Sequence, residues 1–365
     1  MNICLIGSSL TSLALAKNLI NKKIKVFIYY KNYKLNKFNS RTIGISRNNL
    51  NFFNNEIIKI KKNKLWKINK IEIYNEKNKS EKILNFEKSQ QELFSMVYYN
   101  KIYRLLENNL KKNKLFKAIL IKNNSIYKKI LKEKKHNLII NCDGNNKIAK
   151  DIFYKKIIKN YNSHSYVTVF THKKTKNFKA IQIFTKIGPI AFLPISETET
   201  SVVFSILDSS KIINEVEVKS LITKFNPNYI IKKFSKIEKF QLNFSSLRNY
   251  HDNNLMSFGD SLHKIHPLAG QGFNMTLRDI KILSDIIQLR LDLGLPLDKT
   301  IYSEFEKKTK NLNFIFSHGI DFIYEFFKFD NKFKNKYSSK LVKVFGKNKT
   351  FTKFFTKYAD KGFVF

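Results

Sequence analysis

The chain has 365 residues and a formal net charge of +40 at pH 7, with 68 Lys or Arg against 28 Asp or Glu. Hydrophobic residues make up 43% and aromatics 14%, too much for a disordered chain and enough for a core that needs no covalent staples. Lysine is scattered with Asn and Ile through nearly every segment and far outnumbers arginine, which argues against a base-reading surface; the charge reads as compositional drift, with attraction to an anionic membrane face as a second reading.

Residues 3–6 predict a short buried strand, 13–21 a helix and 24–29 a second strand, a βαβ opening. Between the first strand and the helix, a dinucleotide-binding turn wants glycine at three positions, for the turn, the phosphate approach and the helix packing. Here those positions hold Gly7, Ser9 and Ser12. Serine is small and its hydroxyl donates to phosphate, so a cofactor loop and plain α/β packing both remain open. The acid that such a unit places after its second strand to hold a ribose is replaced by Tyr30 and Lys31.

Residues 101–110 predict a helix, and 138–142 a buried strand that runs into Asp143-Gly144, a pair that is also common in turns. From Tyr154 to Phe244 the pattern alternates. Segments 166–170, 180–184, 190–195 and 200–205 predict antiparallel strands of a separate sheet, joined by an earlier pair around Trp66, at 71–74 and 83–86. Cys4 and Cys142 each lie in an apolar strand-like run, which predicts neither a disulfide nor a metal ligand and suits a reducing compartment.

The next segment is the most informative: apolar 255–258, then Gly259-Asp260-Ser261-Leu262-His263-Lys264-Ile265-His266-Pro267-Leu268-Ala269-Gly270-Gln271-Gly272-Phe273-Asn274-Met275-Thr276-Leu277-Arg278-Asp279. It predicts a strand end, a glycine turn presenting a carboxylate, and a helix whose Leu277, Ile280, Leu283, Ile287 and Leu291 recur at spacings of three and four. Strand ends of open α/β sheets bind ligands, and a helix start without side-chain cover offers free N–H groups. The tail from Lys308 is helical in pattern, with Phe316, Ile320, Ile323 and Phe327 on one stripe and Phe351, Phe354, Phe355 and Tyr358 on another. Such stripes suit a core, and their interleaved lysines keep peripheral membrane contact as a hypothesis to test. No window reaches the ~18 apolar residues of a span and the first apolar run is too short for a secretory leader, so the expected location is cytoplasmic, with contact at the inner face of the cytoplasmic membrane.

The 259–279 run resembles the second flavin-binding motif of the FAD-dependent aromatic hydroxylases, the class A flavoprotein monooxygenases of the para-hydroxybenzoate hydroxylase fold, and in particular the ubiquinone-biosynthesis branch. Gly259, Asp260, His263, Pro267, Gly270, Gln271, Gly272, Asn274 and Asp279 match, and Thr276 departs where a glycine is common. The resemblance implies that Asp260 holds a ribityl hydroxyl of FAD and that the backbone of 267–272 lies along the isoalloxazine ring. Arg41-Thr42-Ile43-Gly44-Ile45-Ser46 resembles the family segment whose arginine reaches the pyrophosphate, and Tyr98-Tyr99-Asn100 another flavin-contacting stretch that implicates Asn100. Asp143-Gly144 resembles the Ala-Asp-Gly-x-x-Ser-x-x-Arg motif between flavin and nicotinamide sites, with Lys147 and Lys150 at its Ser and Arg positions. Residues 182–194 resemble the substrate-domain sheet that roofs the flavin.

The expected fold is therefore α/β: a Rossmann-like FAD-binding domain (1–60, 95–153 and 250–307) interleaved with an antiparallel β-sheet substrate domain (61–94 and 154–249), plus a helical C-terminal region (308–365). The implied activity is FAD-dependent hydroxylation of the ring of a polyprenylated phenol in ubiquinone biosynthesis, with NADH or NADPH and O2, through a flavin C4a-hydroperoxide. The implied cofactor-binding set is Gly7, Ser9, Ser12, Arg41, Asn100, Asp143, Gly144, Gly259, Asp260, Pro267, Gly270, Gln271, Gly272 and Asn274. No acid/base residue and no metal ligand is nominated; His263 and His266 fit a loop-holding role as well as a chemical one. The missing fingerprint glycines and ribose acid also fit a catalytically degenerate relative acting within a quinone-biosynthesis complex. Another flavin oxidoreductase of the same fold is a further alternative.

Overall fold

The structure is a computed structural model and describes residues 1–31, 40–76, 78–87, 92–133, 135–207, 214–265 and 271–332. The opening unit consists of the strand Asn2–Ile6, the helix Leu10–Asn21 and the strand Lys25–Tyr30. The first strand is apolar on both faces, and such a strand belongs inside a parallel sheet. It pairs in parallel with Lys25–Tyr30 on one side and Leu138–Asn141 on the other. In spatial order this six-stranded sheet runs His251–Asp252, Leu255–Ser257, Leu138–Asn141, Asn2–Ile6, Lys25–Tyr30, Phe116–Leu120, and only the edge strand His251–Asp252 is antiparallel. The helices Leu10–Asn21, Tyr99–Lys111 and Gln271–Asp292 cover it, burying Leu13, Leu19, Ile102, Leu106, Leu277, Ile280 and Ile287 in one core.

The expected period-two segments form a nine-stranded sheet that includes Lys156–His172, Lys179–Thr185, Gly188–Pro194, Glu199–Leu207, Glu238–Leu247, Lys70–Asn75 and Asn78–Glu87. Alternation gives it two distinct faces. Tyr166, Phe170, Phe192, Val202 and Phe204 meet the helix Glu215–Phe225 through Val218, Ile222 and Phe225. That helix, which the sequence reading did not anticipate, begins with a capping box in which Asn214 and Glu217 satisfy each other's backbone N–H groups. On the opposite face Ala180, Ile71 and Leu193 pack against Ile68, Met96, Trp66 and Phe94.

These last residues belong to a third, three-stranded sheet made of Thr42–Ser46, Phe94–Tyr98 and Trp66–Ile68. The Trp66 segment, expected in the larger sheet, pairs instead with Phe94–Tyr98. The indole still reaches the larger sheet's side: its Nε1–H donates to the Asn177 carbonyl and its ring stacks on Phe178 at 5.0 Å. The helix Thr300–Lys332 begins earlier than expected and buries Phe316 and Ile320 against Met275. The side chains of Ile323 and Phe327, and all of Phe351, Phe354, Phe355 and Tyr358, lie outside the described residues. No described helix is long and apolar enough to cross a membrane.

Candidate cofactor site

Three neighbouring parallel strands, Leu255–Ser257, Leu138–Asn141 and Asn2–Ile6, end at the same edge, and three of the expected motifs meet there. Gly7 leaves the first strand at φ +108, and a Cβ on it would stand 2.9 Å from the Asp143 Cβ. Gly259 turns at φ +63, where a Cβ would lie 2.5 Å from the Thr11 Cγ2 in the first helix. Both positions demand glycine twice over, by backbone conformation and by space. Gly144 approaches the backbone of Asp260 and Ser261, so each loop touches a neighbour. Residues separated by more than a hundred positions are thereby drawn into one patch at the carboxyl edge of the sheet.

The serines that replace the fingerprint glycines turn inward. Ser9 caps the first helix, its Oγ accepting the Ser12 N–H at 3.3 Å, and the two hydroxyls lie 3.2 Å apart. Ser12 is fully buried, and its hydroxyl faces the Cys142 thiol, which burial pushes up to about 12. Ser12 therefore performs the packing duty of the third glycine, and its hydroxyl is engaged within the protein.

Arg41 is exposed, with its guanidinium 4.8 Å from the centre of the Tyr99 ring. The Tyr99 N–H donates to the Arg41 carbonyl at 3.0 Å, extending the pairing of Thr42 with Tyr98. Burial raises the Tyr99 phenol above its ordinary pKa; Arg41 and the Leu10 backbone oppose the rise and Asp260 adds to it, so the four groups are electrostatic neighbours. Tyr99 is the residue here that the sequence reading passed over, although it opens the same helix as Asn100, which is partly buried in its first turn. The Arg41 segment is fastened to the large sheet by Ser40 N–H to Glu238 at 3.1 Å and by Thr42 Oγ1 to Ser201 Oγ at 2.8 Å.

The 259–279 run crosses between sheets. After Leu255–Ser257 in the parallel sheet comes a single 3-10 turn, Gly259–Ser261, and then His263–Lys264, which pairs antiparallel with Ser246 and Ser245 of the large sheet. His266, Pro267 and Gly270 lie outside the described residues; Gln271 and Gly272 open the helix Gln271–Asp292. A Cβ at Gly272 would meet nothing within 4 Å, so open space lies against that first turn.

Asn274, matched as a cofactor position, is committed to the protein: its Oδ1 accepts from Ser46 N and Asn49 Nδ2, and its Nδ2 donates to the Gly44 carbonyl at 2.8 Å. It locks the helix to the strand that carries Arg41. Further along, Asp279 (0% exposed) bonds the His263 Nε2 at 2.9 Å, Asn313 Nδ2 at 3.3 Å and lies 3.6 Å from Arg278, which itself bonds Asn313. His263 thus anchors the run through a buried contact to Asp279.

At the patch a cleft of about 440 Å³ is lined by Gly7, Ser8, Lys31, Asn124, Tyr127, Asp143, Asn145, Asn146 and, from the short helix Lys147–Asp151, Lys147 and Lys150. Its size lies within the usual range for small-ligand sites, roughly 300–1,000 Å³. Gly7, Ser8 and Asp143 share this cleft, and Gly144 joins it to the Asp260 loop.

Residues 136–292, which contain the Asp143, Asp260 and Asn274 segments, match the family model described as FAD binding domain. The chain is 25% identical over 243 residues to the ubiquinone biosynthesis monooxygenase COQ6, mitochondrial, of Caenorhabditis elegans (53% of each chain), and 29% identical over 151 residues to the 3-demethoxyubiquinol 3-hydroxylase of Escherichia coli (39% of this chain, 38% of that one). The chain spans about half the length of the curated relatives it matches, or less. Among solved structures, the p-nitrophenol 4-monooxygenase PnpA of Pseudomonas putida superposes with a TM-score of 0.76 at 9% identity, over 97% of this chain and 96% of that one. Residues 136–292 thus match an FAD binding domain, and the chain as a whole has the fold seen in FAD-dependent monooxygenases. Its relatives in sequence are the hydroxylases and monooxygenases of ubiquinone biosynthesis.

Proposed function

We propose that the protein is an FAD-dependent monooxygenase that hydroxylates the aromatic ring of a polyprenylated phenol on the way to ubiquinone, with NADH or NADPH and O2 as co-substrates. The observation that carries this is the meeting of Gly7, Asp143-Gly144 and Gly259-Asp260 at the ends of three adjacent parallel strands, beside a cleft lined by Gly7, Ser8 and Asp143. Bound FAD would supply the chemistry, accepting a hydride from the nicotinamide and activating O2, so the polypeptide's task is placement and shelter. Gly7 and Ser8 would admit the pyrophosphate to the backbone, Arg41 would neutralise it, and Asp260 would accept a hydrogen bond from the ribityl chain. The first turn at Gln271 and Gly272 would present positive dipole ends to the ring, which stabilises negative charge there. Asn100, Asp143 and Gly144 complete the cofactor set. Asn274, Asp279 and His263 fix these groups without touching the ligand.

The parallel-sheet unit would hold the cofactor, and the face of the nine-stranded sheet turned toward Thr42–Ser46 would roof the substrate and exclude water. The membrane contact of a lipid-soluble substrate and membership in a quinone-biosynthesis complex extend the same proposal. The test is reconstitution. Purified protein should turn yellow with FAD, oxidise NAD(P)H faster when a prenylated phenol is added, and place one atom of ¹⁸O₂ in the product. A protein that stays colourless at millimolar FAD would overturn the proposal and favour the degenerate alternative; NAD(P)H oxidation without labelled product would favour another flavin oxidoreductase.

A further inference from the structure

The cleft over Gly7 and Asp143 departs from an ordinary ribose-and-pyrophosphate cradle in one respect. The acid that would grip a ribose at the end of the second strand is replaced by Lys31, whose Nζ has a neutral neighbour, Asn124 Oδ1 at 3.4 Å. Across the cleft, Lys147 and Lys150 lie one turn apart on the helix Lys147–Asp151 and are exposed. Among the described lining residues the one acid is Asp143, whose Oδ1 accepts the Asn145 N–H at 2.9 Å. Three ammonium groups against one carboxylate leave the cleft with an excess of two positive charges. The remaining side chains of the lining are the Ser8 hydroxyl, the amides of Asn124, Asn145 and Asn146 and the Tyr127 phenol. Amides and a phenol can hydrogen-bond a base or a sugar without regard to charge, whereas clustered lysines select phosphate as point charges.

We propose that this cleft is a nucleoside-diphosphate site in which Lys31, Lys147 and Lys150 hold the diphosphate by charge, in place of the glycine and ribose-acid contacts the turn lacks. The inference rests on the flavin proposal for the identity of the full ligand, and it assigns the weight of binding at this end to three residues outside the 259–279 run. Its consequence is ionic: exposed charge pairs are screened over about 10 Å at 0.1 M salt. FAD affinity should therefore fall roughly tenfold or more between about 0.05 and 0.5 M salt, while FMN, with one phosphate and no adenosine, should bind weakly throughout.

Titration of cofactor-stripped protein by flavin fluorescence and calorimetry tests this, with FAD, FMN and ADP as probes and thermal melting as the check on folding. ADP should compete with FAD, and the triple variant Lys31→Gln/Lys147→Gln/Lys150→Gln should melt like the parent yet lose most of the salt dependence. Single Lys→Arg variants should keep it. FAD binding that ignores both salt and the triple variant, or that ADP does not displace, would overturn the charge-held site. ADP binding without FAD binding would keep this site and remove the flavin proposal, and the absence of both would remove the two together.

Discussion

Gly259 shows how one residue can be fixed by two independent requirements. Its φ of +63 lies in the left-handed region, and a Cβ there would come within 2.5 Å of the Thr11 side chain. Gly259→Ala should therefore destabilise the fold by about 3 kcal/mol, the sum of a left-handed penalty of ~1–2 and an overpacking penalty of ~1–3. Chemical denaturation measures it, and the double variant with Thr11→Ala should recover the overpacking part but not the backbone part. A Gly259→Ala protein as stable as the parent would show that the loop does not rest on the first helix. At this scale the sequence was informative about identity and poor about duty. Gly7, Asp143 and Asp260 stand where the motif spacing put them. Asn274 and Ser12 also stand in motif positions, yet their polar atoms are used inside the protein, by Gly44, Ser46 and Asn49 in one case and by Ser9 in the other. Spacing reveals which residues recur together; it does not reveal which way a side chain points.

Among the elements, the helix Gln271–Asp292 ties several parts of the candidate site together. Its start faces the candidate flavin-ring site, Asn274 ties it to the Arg41 strand, and Asp279 ties it to His263 on one side and to Asn313 of the helix Thr300–Lys332 on the other. Removing one partner from such a buried ionic cluster is costly because the others stay buried without compensation. Asp279→Asn should cost about 3–5 kcal/mol. In hydrogen exchange the loss should be concentrated in the helices 271–292 and 300–321; exchange that rises evenly over the chain would argue against this anchoring role. Most elements were legible from periodicity, since six of the large sheet's strands and the βαβ opening fall where alternation and apolar runs put them. The three-stranded sheet was not, because its strands are three to five residues long and come from segments 20 to 50 positions apart, too short for a period to show. The Asn214 capping box lay in plain view, as Asn-x-x-Glu before an apolar helix, and went unread because the neighbouring segments all pointed to strand.

Over the whole molecule the chain passes repeatedly between its sheets. It leaves the parallel sheet after Lys25–Tyr30, builds the small sheet and the large sheet's strands Lys70–Asn75 and Asn78–Glu87, returns for Phe116–Leu120 and Leu138–Asn141, crosses to the long strands, and comes back at His251–Asp252. Neither sheet is made from one continuous stretch, so neither can be cut away by a single nick. The single tryptophan, Trp66, sits in the small sheet between the other two. Its fluorescence and the far-UV circular dichroism should report one shared thermal transition, as expected of a cooperative unit. A tryptophan transition that clearly precedes the loss of secondary structure would mean that the parallel sheet melts independently.

The passage of residues 257–264 from one sheet to the other puts the proposed cofactor contacts on the seam of the molecule. A ligand seated on a seam acts as a structural part as well as a reagent. If FAD binds only the folded chain, a free concentration of 100 times its dissociation constant adds about 2.7 kcal/mol to the stability of every element at once. The supply of flavin during synthesis would then govern how much of this protein a cell accumulates, before any turnover takes place.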